Sequence, residues 1–175
     1  DEFGNRVEGV SSAIALSVTQ GANAGAAFEP VSDEGNGLYV TGYTPSATGT
    51  DNISIDINGA AISGSPFASN VVATDADAIS VSAQPGNSTA GEVIPGNPSV
   101  LVTDNLDNPV SDVEVTVSVE GNAAIAGGTA VQTTNNAGVA VFDDLVIERS
   151  GSFNLRFDAL GVSDDAVSDA FTVAP

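Results

Sequence analysis

The stretch from Val113 to Val119 constrains the fold more tightly than any other part of the chain. Valines at 113, 115, 117 and 119 alternate with Glu114, Thr116 and Ser118. Side chains of a strand point to opposite faces in turn, so this run reads as a strand with one buried and one solvated face. The same alternation recurs at Ile14, Leu16 and Val18, at Ile53, Ile55 and Ile57, at Ile79, Val81 and Ala83, and at Phe153, Leu155 and Phe157. Clusters of Gly, Asn, Asp and Pro separate these runs at the spacing of a β-sandwich. No stretch keeps a 3.6-residue apolar period over the length of a helix. The chain is therefore expected to be all-β.

What the composition lacks narrows the function. Among 175 residues there is no Cys, His, Met or Trp, and the three basic residues are Arg6, Arg149 and Arg156, so there is no Lys. Most common nucleophiles and neutral-pH bases are thereby missing, as are a Cys or His zinc site and a phosphate-loop lysine. An enzyme built from these residues would have to run on carboxylates, hydroxyls or a bound metal. The 23 acidic residues against 3 basic ones give a net charge of −20. Such a field repels nucleic acid and anionic lipid head groups, so neither is an expected partner. No apolar run reaches the roughly 18 residues of a membrane span. No signal-peptide pattern stands in these residues, which are read as mature or as excised from something longer. Without cysteine there are no disulfides, yet a module of about 100 residues can bury enough surface unaided.

An internal repeat organises the chain. Asp1–Val7 matches Asp104–Val110 (104 − 1 = 103), and Ile14–Val18 matches Val115–Val119. Gly37 precedes Leu38-Tyr39-Val40 as Gly138 precedes Val139-Ala140-Val141 (138 − 37 = 101). Gly49 stands before the isoleucine strand as Gly151 stands before Phe153 (151 − 49 = 102), and Phe67 is set against Phe171. Two modules follow, 1–72 and 78–175, with the polar joint 73–77 between them. A joint this short restricts relative motion. The duplication is unequal. The second module has two strands before Asp104, Ile79–Ala83 and Ser99–Val102, and the first, starting at the equivalent of Asp104, lacks both. About 26 residues (103 − 77) have no counterpart. A sandwich short of two strands leaves open edges and an uncovered core face. The missing strands are expected from a preceding segment or from a neighbouring identical subunit.

The series Ala90-Gly-Glu92, Val100-Leu-Val-Thr-Asp104, Asn108-Pro-Val110, Val113–Val119 and Asn136-Ala-Gly138 resembles bacterial immunoglobulin-like domains of the invasin and intimin type, over nearly all of the second module. In the first module, Ile57-Asn-Gly59, Ile62 and Gly64-Ser-Pro-Phe67 resemble the closing strand of filamin-type immunoglobulin repeats. The resemblance implies tandem immunoglobulin-like β-sandwich modules, and with the unequal repeat the expectation is two of them, the first lacking its two N-terminal strands. It implies an extracellular or cell-surface setting and a structural, non-enzymatic task. That task is spacing and stiffness in a fibre, stalk or adhesin, to which the open edges of the first module add an expected assembly through strand complementation. The implied partners are neighbouring modules of the same chain or identical subunits. No catalytic residues carry over.

Aspartates gather in the loops. Asp75 and Asp77 at the joint are the candidate ligands for Ca2+, because calcium takes six to eight oxygens and acidic loops supply them. The plainer reading is that they are turn aspartates bonded to their own backbone. No EF-hand loop is present. Asn52-Ile-Ser54 and Asn87-Ser-Thr89 are sequons, which makes Asn52 and Asn87 candidate glycosylation sites, whereas Asn97-Pro-Ser99 is spoiled by its proline. Two other functions fit the same residues. One is a carbohydrate- or receptor-binding module, for which Tyr43 is the accessible aromatic. The other is an accessory domain of a larger secreted enzyme.

Overall fold

The structure is a computed structural model that describes residues 5–175, so the part of the Asp1–Val7 match that falls on residues 1–4 lies outside the described residues. The chain divides into two compact units, Asp1–Val72 and Ala73–Pro175. Strands dominate both, and the one helical element among the described residues is a single 3-10 turn at Ser11–Ala13.

In unit 1 the strands are β1 (Ile14–Gln20), β2 (Ser32–Gly35), β3 (Leu38–Val40), β4 (Gly49–Ile57), β5 (Ala60–Ala61) and β6 (Phe67–Val71). The long strand β4 pairs antiparallel with β1 along one edge and with β5 and β6 along the other. Strands β2 and β3 form a separate hairpin. Its turn runs through Gly35, Asn36 and Gly37 at φ of 80°, 56° and 72°. Glycine and asparagine tolerate this left-handed region, which explains the turn composition.

Unit 2 comprises β7 (Ala78–Ala83), β8 (Ser88–Thr89), β9 (Ser99–Thr103), β10 (Glu114–Val119), β11 (Val131–Thr133), β12 (Val139–Val141), β13 (Gly151–Phe153), β14 (Leu155–Ala159), β15 (Ala166–Val167) and β16 (Phe171–Ala174). One sheet runs β11-β10-β14-β15, a second β12-β9-β7, and a third β13-β16-β8. The alternating residues Val115, Val117, Leu155 and Phe157 share a core with Val100, Val102 and Ala140 of the second sheet. Phe142 closes this core, its ring centroid 5.4 Å from that of Phe157. Period-two strands in packed sheets, with one apolar face each, make an immunoglobulin-like sandwich.

Strand register shows how deep the repeat goes. Leu16 faces Ile55 in unit 1 and Val117 faces Phe157 in unit 2, offsets of 101 (117 − 16) and 102 (157 − 55). Gly49 faces Val71 as Gly151 faces Val173, both offset by 102 (151 − 49, 173 − 71). The last pairing corrects one sequence match. Asp51 faces Ser69 where Phe153 faces Phe171, so the counterpart of Phe171 is Ser69, not Phe67. Matching by aromatic type had slipped by one strand period.

The units differ where the repeat is unequal. At the offset of 101, β3 falls on β12 (38 + 101 = 139), and β2 falls on residues 133–136, at the end of β11. In unit 2 those strands part: β11 joins β10 and β12 joins β9. In unit 1 β2 and β3 pair with each other, and the described residues of unit 1 include no counterpart of β7 or β9.

Candidate functional site

The consequence of that difference is an open apolar face. Among the described residues of unit 1, Val18 is the buried apolar side chain, against a continuous buried cluster in unit 2. Ile14, Leu16 and Ile55 are half-buried and Ile57 is 38% exposed, although their counterparts Val115, Val117, Phe157 and Ala159 are buried. Together with Leu38 and Tyr39 these residues line a groove of about 310 Å³. Tyr39 stands at the position of Ala140. Its hydroxyl donates to the Val7 carbonyl at 2.9 Å and accepts from the Val10 N–H at 3.2 Å. Among the described residues no charged side chain lines the groove.

Two buried carboxylates lock loops onto the sheets. Asp51, fully buried, sits in phase with Ile53, Ile55 and Ile57 at the position that Phe153 fills in unit 2. It accepts from Asn23 Nδ2 at 2.8 Å, from the Asn23 N–H at 3.2 Å and from the Tyr43 hydroxyl at 3.0 Å. Asn23 in turn holds the loop at Ser46 and Ala47 through its amide. Burial pushes the Asp51 carboxyl upward, but the bonds from Asn23 and Tyr43 outweigh it and the net shift is downward. Sequence reading missed Asp51. An aspartate in phase with an inward-facing isoleucine run was the available signal.

Asp104 is the second clamp. It accepts from the N–H groups of Leu106 and Asn108, both at 2.9 Å, and of Thr74 at 3.2 Å, and from Asn108 Nδ2. This is the physical content of the Asp104…Asn108-Pro109-Val110 pattern. Burial works against the charge, yet these donors lower its pKa from 3.8 to about 2. A depressed folded-state pKa stabilises the fold above the unfolded value of 3.8, and the contribution is lost as pH falls through about 2. Asp104→Asn is therefore expected to lower the melting temperature of unit 2 at pH 6, with the gap closing between pH 4 and pH 2. Melts of both proteins across that range check it, and a gap independent of pH would refute it.

The other sequence candidates lie elsewhere. Asp75 and Asp77 are both exposed in unit 2. Asp75 lines a recess of about 380 Å³ with Asp112, Val110 and Leu160, and the backbone N–H of Asp77 donates to the Thr103 carbonyl at 2.8 Å. Among the described residues no group of three or more His, Cys, Asp or Glu is placed to hold a metal ion. Asn52 is half-buried within β4 and its amide donates to Gln20, while Asn87 is exposed and its Oδ1 accepts from the Thr172 N–H at 2.8 Å. Tyr43 is not a free aromatic. Its ring lies 5.1 Å from that of Phe28 and its hydroxyl is committed to Asp51.

Comparison with known proteins agrees with this architecture. Residues 1–68 match the Filamin/ABP280 repeat family, which bears out the filamin-like reading of Ile57–Phe67. In structure the chain is similar to the Escherichia coli adhesin FdeC, with a TM-score of 0.66 and 20% identity, covering 99% of this chain and 55% of that one. It is also similar to Yersinia pseudotuberculosis InvD, with a TM-score of 0.62 and 18% identity, covering 100% of this chain and 50% of that one. The chain thus spans about half the length of each, and at these identities the likeness is one of fold. No curated protein sequence matches it. The immunoglobulin-like fold and the filamin-like first module, both read from sequence, hold, and the adhesins share that fold.

Proposed function

We propose that the chain is a non-enzymatic, tension-bearing spacer of an extracellular fibre, stalk or adhesin, set between neighbouring modules of the same kind. The observation that carries this reading is the pairing of β8 with β16. The two strands run parallel, with Val173 opposite Ser88 and Ala174 opposite Thr89. The Ala90 N–H donates to the Ala174 carbonyl and the Thr172 N–H to Asn87, both at 2.8 Å. The chain enters unit 2 ahead of β8 and leaves it beyond β16. Tension applied through the two ends therefore pulls these strands in opposite directions along their common axis. Their hydrogen bonds then share the load together, whereas an antiparallel hairpin pulled at its open end loses bonds one at a time. A duplicated sandwich, an adhesin of the same fold and a charge that keeps the protein soluble support the same reading.

Stretching single molecules by their ends tests it. Ala90→Pro removes the N–H that donates to Ala174, and is expected to lower the rupture force of unit 2 by a larger fraction than its denaturant midpoint. A proline that lowers both alike, or that leaves the force unchanged, would count against a tension-bearing role.

A further inference from the structure

We infer that the open face of unit 1 is a docking groove for a two-stranded, uncharged β segment delivered in cis ahead of Arg6, which completes the sandwich as β7 and β9 complete unit 2. The inference is separate from the tension-bearing reading: the groove can be filled whether or not the chain carries load.

Unit 2 shows what covers this face. There β9 pairs with β12, Val139 opposite Leu101 and Ala140 opposite Val100, and β7 pairs with β9. Val100 and Val102 are thereby buried in the core shared with Val117 and Phe157. Unit 1 has the receiving half of this arrangement. β3, the counterpart of β12, pairs with β2 alone among the described residues, leaving one edge without a strand. Leu16 and Ile55, the counterparts of Val117 and Phe157, face the groove. An unpaired edge beside an apolar face takes an added strand through main-chain bonds and alternate side-chain pockets.

The path of the chain says from where that strand comes. In unit 2, β9 leads through the Asp104 clamp to Pro109, which packs on Gly138: a Cβ built on Gly138 would lie 2.9 Å from Pro109 Cβ. In unit 1, a Cβ built on Gly37, the counterpart of Gly138, would lie 3.0 Å from Arg6 Cβ. Arg6 thus enters unit 1 where Pro109 leaves β9. A second copy of these residues is a poor donor, because its own β9 is held in its own core, with Val100 and Val102 at 0% exposure. The chemistry of the occupant follows from β7 and β9, Ala-Ile-Ser-Val-Ser-Ala and Ser-Val-Leu-Val-Thr, both uncharged, the first alternating apolar with small polar residues and the second carrying an apolar centre between Ser and Thr.

The test supplies that segment from the chain itself. Residues 73–103 are duplicated and fused directly ahead of Asp1 in the full chain, and a second fusion carries Val100→Asp and Val102→Asp in the added copy only. Both tyrosines, Tyr39 and Tyr43, lie in unit 1, so tyrosine emission reports unit 1 alone. The first fusion is expected to raise the tyrosine-detected melting temperature by about 10 °C or more and to reduce binding of an apolar dye, and the doubly substituted fusion to do neither. Equal melting of both fusions and the parent chain would overturn the proposal. So would self-association of the parent chain that protects the β3 amides from exchange, since a second copy would then be the occupant. Neither result bears on the rupture force of unit 2, so a failure here is distinguishable from a failure of the spacer reading.

Discussion

Replacing Phe157 with alanine is expected to destabilise unit 2 by about 3–5 kcal/mol, whereas replacing its counterpart Ile55 destabilises unit 1 by about 1–2 kcal/mol. Phe157 is fully buried, its ring packed on Phe142 at 5.4 Å, and it lies between Val117 and the β9–β12 sheet. Truncation there removes apolar contact and leaves a cavity whose walls belong to two sheets and cannot collapse freely. Ile55 has the equivalent strand position and faces Leu16 as Phe157 faces Val117, yet it borders the open groove and is half-buried. Water already reaches it, so little transfer energy is lost and no closed cavity forms. Denaturant unfolding followed by tyrosine emission reads unit 1, and amide exchange in Val115–Val119 reads unit 2. Equal effects at the two positions would mean that unit 1 is covered in solution by these same residues. In the fusion carrying an added copy of residues 73–103, the effect of Ile55→Ala should rise toward the range of a buried isoleucine, about 2–5 kcal/mol.

The fold was legible because period-two alternation is a local property. Val113–Val119 and Phe153–Phe157 each write their own buried face into the sequence, and the turns between them carry glycine and asparagine where φ is positive. The offset near 102 was legible for the same reason, since turn chemistry and strand phase repeat together. What sequence could not show was partner choice. Strands β2 and β3 carry the same turn signal as β11 and β12, and nothing local tells whether the two will pair with each other or part to opposite sheets. That outcome depends on residues distant in sequence, since β11 is taken up by β10 and β12 by β9.

The candidate site was legible by halves. The unequal repeat pointed to an uncovered face, and Leu16, Ile55 and Ile57 line it. Asp51 was not legible because a buried carboxylate depends on donors that the chain brings from Asn23 and Tyr43, 28 and 8 residues away. A buried charge without such donors would be strongly unfavourable. The acidic pairs in the loops drew attention by composition, whereas the aspartates that organise structure, Asp51 and Asp104, are single residues hidden in strand phase and loop pattern.

Gly138→Ala is expected to destabilise unit 2 by at least about 3 kcal/mol, and the reason separates two effects that glycine substitutions usually mix. Gly138 adopts φ of 71°, and a Cβ there would lie 2.7 Å from the Val102 carbonyl oxygen and 2.9 Å from Pro109 Cβ. The first obstacle is backbone of β9 in the middle of the core sheet, so relief requires moving a strand rather than a side chain. Gly91 has a similar φ of 85° with nothing within 4 Å, so Gly91→Ala isolates the conformational effect, about 1 kcal/mol. Gly37 lies between them: its φ is 72° and its nearest obstacle is Arg6 Cβ at 3.0 Å, on the entering chain and not on a core strand. The order expected in denaturant midpoints is a large loss for Gly138, a smaller one for Gly37 and the smallest for Gly91. In the fusion that supplies strands ahead of Asp1, the entering chain at Arg6 is anchored as Pro109 is. Gly37→Ala should there approach the effect of Gly138→Ala. If it stays at the level of Gly91→Ala in both proteins, the chain does not enter unit 1 against that turn, and the shared path of the two modules would have to be abandoned.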